Sequence, residues 1–242
     1  FNVKSCLSIF ESENITVTNL ASTMGQLIAN YDKANDFKYK IRLLSCGGAP
    51  LNNTSILKLK TLFNCEYFSS YGMSECCGKI SMAITNEQHS ENSIYSSGRC
   101  FGLMEIKIVD DYNNVIYDCY ENGEILIRGS GLFENYINKE NQHDEYFDQN
   151  GWFKTGDIGF INEEGFITIV DRKKDMILVG SENVYSVEVE KVLNSHENIS
   201  MSAIFGMSHN LLGETVVGVV QLKDSSITTT GKDIIEYCKT QL

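Results

Sequence analysis

Residues 69–75 of the chain read Ser-Ser-Tyr-Gly-Met-Ser-Glu, and two further stretches of similar character follow. Residues 151–157 read Gly-Trp-Phe-Lys-Thr-Gly-Asp, and residues 171–177 read Asp-Arg-Lys-Lys-Asp-Met-Ile. Each stretch combines turn-forming residues with charged ones, and the first directly follows a strand predicted at Glu66-Tyr67-Phe68. Because ligands of α/β proteins bind at loops that follow strands, these stretches are candidate binding loops.

The segment around the first stretch, about residues 7–85, alternates helical and extended patterns. A strand at 41–45 runs into the turn Gly47-Gly48-Ala49-Pro50, and Asn52 or Asn53 can cap a helix that leads to a strand at 66–68. Upstream, apolar residues at helical spacing form one stripe: Leu20, Met24, Leu27, Ile28 and Tyr31. This alternation predicts an α/β architecture.

From about residue 95 to residue 170 the apolar period changes to two. Turn clusters at 110–114 and 162–165 separate the extended runs. The predicted strands are 104–109, 115–117, 124–128, 160–161 and 166–170. This segment therefore predicts a small antiparallel sheet or barrel.

After residue 171 the pattern is mixed. A helix at 186–193 precedes strands at 201–205 and 216–222, and Thr230 with Asp233 forms a capping signature for a final helix. We predict three parts: an α/β subdomain at 1–94, an antiparallel β subdomain at 95–170, and an α+β lobe at 171–242.

Composition excludes several classes of protein. No apolar stretch of the 242 residues approaches the ~20 that a membrane helix needs, and the net charge of −12 disfavours nucleic acid as a partner. The eight cysteines are scattered without metal-ligand spacing, which favours free thiols and a cytoplasmic location. Because the chain begins with Phe1 rather than Met and ends within a helical pattern, we expect it to be a piece of a longer protein.

The turns at 47–50 and 69–75 carry residue types suited to a nucleotide. Glycines let backbone approach a flat ring, and an aromatic ring such as Tyr71 can stack on a purine. The hydroxyl of Ser74 can bond a phosphate oxygen, and the carboxylate of Glu75 can hold Mg²⁺. The alternative interpretation from the residues alone is an ordinary turn at the end of a strand.

The other two stretches offer charged groups. A carboxylate at Asp157, held after a Thr-Gly turn, suits bidentate bonding to the two vicinal hydroxyls of a ribose. A solvated turn aspartate is the alternative. Asp171-Arg172 with Lys173-Lys174 reads, by composition alone, as a charged turn on the surface.

In this order, the stretches resemble the adenylate-forming superfamily of acyl- and aryl-CoA ligases, luciferases and peptide-synthetase adenylation domains. Gly180-Ser181-Glu182-Asn183 and Glu188-Val189-Glu190 extend the resemblance over nearly the whole chain. It implies the C-terminal half of a large N-domain followed by a mobile, incomplete α+β lobe. It also implies that the phosphate loop and the C-terminal catalytic lysine of the family lie outside residues 1–242.

The resemblance assigns roles by position. Tyr71 stacks on adenine, Ser74 contacts the α-phosphate, Glu75 is tied to the metal, Asp157 binds the ribose, and Arg172 contacts ribose or phosphate. Ser74, Glu75 and Arg172 are the implied catalytic residues. The implied nucleotide-binding set is Gly47, Gly48, Ala49, Pro50, Tyr71, Gly72, Met73, Ser74, Asp157 and Arg172.

The same resemblance makes Asp171 the hinge of the C-terminal lobe. It makes Gly180, Ser181 and Glu182 the loop that meets the thiol acceptor. CoA ligases usually carry Gly-Gly where this chain has Gly180-Ser181, so the added Cβ can narrow the thiol channel.

The activity implied is ATP- and Mg²⁺-dependent conversion of a carboxylic acid to an acyl-AMP, with transfer to CoA. The motif style is closest to fatty-acyl-CoA ligases. Two alternatives stay open: an enzyme that loads the thiol of a carrier protein, and a catalytically silent truncated module that binds another protein. Residues 1–242 alone are predicted to be inactive, because the phosphate loop and the terminal lysine stabilise charge in the first step.

Overall fold

The computed structural model of the chain describes residues 1–48, 51–85, 96–139, 142–224 and 228–242. Its helices are α1 (Val3–Ser12), α2 (Ser22–Ala29), α3 (Asn53–Phe63), α4 (His143–Tyr146), α5 (Ser186–Ser195) and α6 (Gly231–Gln241). Its strands are β1 (Val17–Ala21), β2 (Leu43–Gly47), β3 (Glu66–Tyr71), β4 (Ser81–Thr85), β5 (Arg99–Cys100), β6 (Met104–Val109), β7 (Gly123–Gly129), β8 (Phe153–Ile161), β9 (Ile167–Arg172), β10 (Ile177–Val179), β11 (Glu182–Val184), β12 (Ile199–His209) and β13 (Gly213–Leu222). The predicted mixed α/β fold class is confirmed.

The first sheet has the strand order β1-β2-β3-β4-β5. β1, β2 and β3 run parallel, whereas β4 and β5 are antiparallel additions. Neighbouring parallel strands end on the same edge, so Gly47 at the end of β2 and Tyr71 at the end of β3 lie at one edge of the sheet. The two predicted nucleotide loops therefore start side by side.

Helices α1 to α3 cover this sheet with a core in which Leu7, Ile28, Leu44 and Leu59 are fully buried. Asn52 caps α3, because its side chain accepts a hydrogen bond of 2.8 Å from Ser55 N. The stripe of apolar residues predicted to lie on one helix from Leu20 to Tyr31 was wrong at its first residue, Leu20.

Leu20 of that stripe lies in β1, which pairs with β2 along its whole length, and α2 begins only at Ser22. Leu27 of the same stripe is exposed. Strand pairing with β2 thus outweighed the helical spacing of apolar residues at this point.

The second sheet has the order β6-β7-β8-β9. Ile125 and Ile127 of β7 are fully buried. The strand predicted at 115–117 was wrong: Val115 forms an isolated antiparallel bridge with Val109, and Tyr117 is exposed. Asp110 binds the backbone nitrogens of Tyr112 and Asn114 and closes a tight turn there, after which the chain leaves the sheet.

The third sheet has the order β11-β10-β13-β12, and its strands are antiparallel. Helix α5 buries Val189 and Leu193 in the core of this region, and Ile234 and Cys238 of α6 pack against it. Thr230 and Asp233 form the predicted capping box. The predicted α5, β12, β13 and α6 are all present.

The chain divides into two compact units that interleave in sequence. One comprises 1–107, 126–153 and 161–168, and the other comprises 108–125, 154–160 and 169–242. The domain limits expected at 94/95 and 170/171 stay predictions.

All eight cysteines are free thiols. Among the described residues, no helix combines the length and hydrophobicity needed to cross a bilayer.

Candidate active site

The loop after β3 holds Tyr71 and Ser74 in a tight backbone turn. Ile80 N donates to Tyr71 O at 2.8 Å and Gly78 N donates to Met73 O at 3.1 Å, so the chain folds back on itself. A Cβ on Gly72 would lie 1.7 Å from the carbonyl oxygen of Gly78, which explains why only glycine fits there. Tyr71 is buried with 9% of its surface exposed, whereas Ser74 is exposed.

The segment that contains Phe133 and Tyr136 hydrogen-bonds to both the backbone and the side chain of Glu75. The hydroxyl of Tyr136 donates a hydrogen bond of 2.7 Å to Glu75 Oε1, and Phe133 N donates one of 2.8 Å to the Glu75 carbonyl oxygen. Burial, followed by the hydrogen bond to Glu75 and its charge, raises the pKa of Tyr136 to about 12. Sequence reasoning missed Tyr136, and the only signal for it was the density of aromatic residues between 133 and 153.

Gly47 and Gly48 lie where the sequence predicted them, at the end of β2. Gly48 has φ +88, a left-handed conformation that favours glycine, although a Cβ on it would meet no atom within 4 Å. Backbone conformation rather than space therefore explains this glycine. Ala49 and Pro50 of the predicted loop lie outside the described residues.

Asp157 lies within β8 and is buried, so the alternative of a solvated turn aspartate was wrong. Its side chain is only 5% exposed, and its Oδ1 lies 2.8 Å from Nε of Arg172, which is 56% exposed. Gly156 has φ +71, and its carbonyl oxygen accepts a hydrogen bond of 2.8 Å from Lys173 N. This bond brings the end of β9 beside β8 and places Arg172 against Asp157.

Thr155 orients the backbone before Asp157, a role that sequence reasoning missed. Its buried hydroxyl donates to the carbonyl oxygen of Ile125 at 2.7 Å and accepts from Asp157 N at 3.0 Å. One side chain thus joins β7 to β8 and fixes the peptide that carries the carboxylate. The Thr-Gly-Asp pattern was the available signal.

Asp171 is buried, with 6% of its surface exposed, so the sequence-based alternative of a charged surface turn was wrong for this residue. Its Oδ2 accepts a hydrogen bond of 2.9 Å from Ser186 Oγ and one of 3.4 Å from Val187 N, at the start of α5. Its Oδ1 accepts from Arg172 N at 2.7 Å. The predicted hinge residue is therefore tied to the N-terminus of α5, where a carboxylate is favoured.

Lys173 forms an ion pair with Glu124, because its Nζ lies 2.7 Å from Oε2 of that residue. Gly180 and Ser181 form the two-residue loop between β10 and β11. Gly180 has φ +67, whereas Ser181 does not require positive φ, so the added Cβ is tolerated by the backbone. Glu182 begins β11 and is exposed. The role of this loop in meeting a thiol stays a prediction.

A magnesium site was predicted at Glu75. Within the described part of the chain, no cluster of three or more His, Cys, Asp or Glu side chains could hold a metal ion alone. Mg²⁺ commonly binds one or two carboxylates together with substrate phosphates, so a single carboxylate fits an ion that arrives with a nucleotide. Tyr136 engages Oε1 of Glu75, and no hydrogen bond from the described residues reaches Oε2.

The predicted residues form two groups. The first group lies at the edge of the first sheet, in the first compact unit, and comprises Gly47, Gly48, Tyr71, Gly72, Met73, Ser74 and Glu75. The second unit holds the others that are described: Asp157, Asp171, Arg172, Gly180, Ser181 and Glu182.

Two family models match the chain. The one described as AMP-binding enzyme matches residues 1–137, and the one described as AMP-binding enzyme C-terminal domain matches residues 188–242. The chain therefore belongs to the AMP-binding, adenylate-forming enzyme family.

Curated relatives are acid–CoA ligases. A 2-succinylbenzoate–CoA ligase of Bacillus subtilis is 31% identical over 247 residues, covering 100% of this chain and 48% of the relative. A long-chain-fatty-acid–CoA ligase of Mycobacterium tuberculosis is 34% identical over 209 residues, covering 86% of this chain and 39% of the relative. The chain thus spans about half the length of the curated relatives it matches.

Solved structures agree with this assignment. The o-succinylbenzoate CoA synthetase of Bacillus subtilis with its acyl-adenylate intermediate has a TM-score of 0.86 at 30% identity, covering 100% of this chain and 48% of that one. Its complex with ATP and magnesium has a TM-score of 0.83 at 31% identity, with the same coverage of 100% and 48%.

Proposed function

We propose that the protein carrying this chain is an AMP-forming ligase that joins a carboxylic acid to CoA. The ion pair between Asp157 and Arg172 is the observation that carries the proposal. The carboxylate is nearly buried and held by Nε, while the guanidinium is more than half exposed and keeps further donors for a ligand. A pre-oriented acceptor beside a cation suits a ribose next to a phosphate.

In the proposed first step, a carboxylate oxygen of the acid attacks the α-phosphorus of ATP. A bond forms between this oxygen and the α-phosphorus. The bond from the α-phosphorus to the oxygen that bridges to the β-phosphate breaks, and pyrophosphate leaves with the electron pair. Tyr71 with the backbone of Gly47, Gly48, Gly72 and Met73 would bind the adenine, and Asp157 the ribose. Ser74 and Arg172 would bond phosphate oxygens, and Glu75 would hold Mg²⁺, which neutralises the charge that develops on pyrophosphate.

In the proposed second step, the thiol of CoA attacks the acyl carbon. The carbon–sulfur bond forms, the bond from the acyl carbon to AMP breaks, AMP leaves with the electron pair, and the thiol proton goes to solvent. Asp171 is the proposed hinge for the exchange between the two steps, and the loop at 180–182 is the proposed contact for the thiol acceptor.

CoA is preferred over a carrier protein as the acceptor, because both curated relatives described above are named as CoA ligases. The acid is proposed only as a small carboxylic acid. Relatives at 31% and 34% identity are named for an aromatic and a fatty acid, so identity does not choose between these classes.

The test is carboxylate-dependent exchange of pyrophosphate into ATP by the complete gene product. A panel of acids should include 2-succinylbenzoate and fatty acids of several chain lengths, followed by detection of the CoA thioester. Exchange with one class of acid and thioester formation would support the proposal. The absence of exchange with every acid would refute it, and exchange followed by transfer only to a carrier protein would change the acceptor.

A further inference from the structure

We propose that Tyr136 is a positioning residue that orients the carboxylate of Glu75 for a divalent cation. This inference rests on the proposed function, because that function gives Glu75 its metal. Tyr136 does not belong to any of the three motif stretches. It lies 61 residues from Glu75 in sequence, and only the fold brings the two together.

Two hydrogen bonds join this segment to Glu75. The Tyr136 hydroxyl donates to the side chain of Glu75 at 2.7 Å, and the backbone nitrogen of Phe133, three residues earlier in sequence, donates to the Glu75 carbonyl oxygen at 2.8 Å. The main chain and the carboxylate of Glu75 are thus held by the same short segment. A side chain fixed at both ends loses little further conformational freedom when it binds an ion.

The Tyr136 ring is itself held in place by aromatic neighbours. Its centroid lies 4.7 Å from that of Phe133 at an interplanar angle of 64°, and 4.9 Å from that of Tyr146 at 72°. Phe133 in turn contacts Phe147 and Phe153, which are both buried. Edge-to-face contacts of this kind are favourable, so the hydroxyl is delivered from a fixed position.

The chemistry of the pair suits a metal ligand. A phenol that donates to a carboxylate restricts the rotation of that carboxylate. With Oε1 engaged, Oε2 is the oxygen that we assign to the cation. Removal of such a supporting hydrogen bond lowers metal affinity about ten- to a hundredfold.

Tyr146 supplies a matched control within the same cluster. It is half-buried like Tyr136 and contacts the same ring, but its hydroxyl lies 3.5 Å from Lys139 Nζ and does not bind Glu75. Replacement of either tyrosine by phenylalanine removes one oxygen and keeps the ring. A purely structural role for the cluster predicts similar consequences of the two changes.

The experiment uses Mn²⁺ as the probe, titrated into the complete gene product with ATP and followed by electron paramagnetic resonance. Binding of AMP without metal is measured in parallel. Tyr136→Phe should weaken Mn²⁺ binding about ten- to a hundredfold and leave AMP binding within about twofold of wild type. Tyr146→Phe should change neither. Titrations are run below the lowest thermal midpoint of the variants, so that all are folded.

The results distinguish failure of the positioning role of Tyr136 from failure of the metal role of Glu75. If Glu75→Gln weakens Mn²⁺ binding but Tyr136→Phe does not, the positioning role is overturned and the proposed function stands. If Tyr146→Phe weakens Mn²⁺ binding as much as Tyr136→Phe, the effect is structural and the positioning role is again overturned. If Glu75→Gln itself leaves Mn²⁺ binding unchanged, the metal role of Glu75 is wrong, and with it both the inference and that part of the proposed mechanism.

Discussion

Nε of Arg172, the last residue of β9, lies 2.8 Å from Oδ1 of Asp157 in β8. The two residues come from separate motifs, yet in the structure they form one electrostatic unit. Asp157 orients the guanidinium, and Arg172 places a positive charge directly beside a nearly buried carboxylate. A substitution at either residue should therefore alter the ligand contacts of both.

Asp157→Ala should lower the affinity of the complete protein for AMP about ten- to a hundredfold, because a charge-assisted hydrogen bond contributes about 1.5–3 kcal/mol. Isothermal calorimetry with AMP, 2′-deoxy-AMP and 3′-deoxy-AMP measures this directly. Wild type should discriminate among the three nucleotides, and the variant should not. Full discrimination by the variant would place the ribose site elsewhere.

Glu75→Gln should lower kcat for pyrophosphate exchange and leave AMP binding nearly unchanged. The amide cannot supply the negative charge that Mg²⁺ requires, and the metal matters most as charge develops on the leaving group. Steady-state exchange assays at saturating ATP and acid provide the test. An unchanged kcat would rule out a metal role for this residue.

Thr155→Val should reduce the free energy of unfolding by about 1–3 kcal/mol, because it leaves the Ile125 carbonyl and the Asp157 amide without their buried partner. AMP affinity should fall with it, since the peptide carrying Asp157 is no longer held. Thr155→Ser is the control that keeps the hydroxyl. Urea unfolding and AMP titration of both variants test this prediction. Equal stability and equal AMP affinity of Thr155→Val and Thr155→Ser would contradict it.

Ser186→Ala should destabilise the protein by about 1–3 kcal/mol, because the buried carboxylate of Asp171 loses a donor at 2.9 Å. Ser195→Ala, at the exposed end of the same helix, serves as the control and should cost less than about 0.5 kcal/mol. Chemical denaturation compares the two. A smaller loss in the free energy of unfolding for Ser186→Ala than for Ser195→Ala would show that the contact with Asp171 does not stabilise the fold.

Asp148→Asn should destabilise the protein at neutral pH and do so less in acid. Burial opposes ionisation of Asp148, but hydrogen bonds from Trp152 N, Asn150 N and Lys107 outweigh it and lower the pKa of the carboxyl. A lowered pKa stabilises the folded state above the ordinary value of about 3.9, and that contribution is lost as pH falls through the lowered pKa.

Urea midpoints of wild type and Asp148→Asn at neutral pH, and at the lowest pH where both remain folded, test this. Asp144→Asn removes a neighbouring carboxylate that is fully exposed, and it controls for the change in net charge. A difference in urea midpoint between wild type and Asp148→Asn that stays constant with pH would be evidence against the stabilising role of the ionised carboxylate.

Local patterns were sufficient for much of the secondary structure and for the family. Alternating apolar residues predicted β6 and β7, and the Asn52 and Thr230 caps predicted the starts of α3 and α6. These features depend on residues within one turn or strand. The motif residues at the two predicted nucleotide loops likewise came from short spacings, and parallel pairing of β2 with β3 brings those loops to one edge.

Tertiary structure decided what short spacings do not encode. Pairing with β2 placed Leu20 in a strand, and Gly156 with φ +71 let Asp157 sit within β8 rather than in a solvated turn. The bond of Tyr136 to Glu75 and that of Ser186 to Asp171 join residues 61 and 15 positions apart. Sequence determined which side chains were available, whereas strand register and buried packing decided which of them meet, because hydrogen bonding requires a donor and an acceptor within about 3 Å.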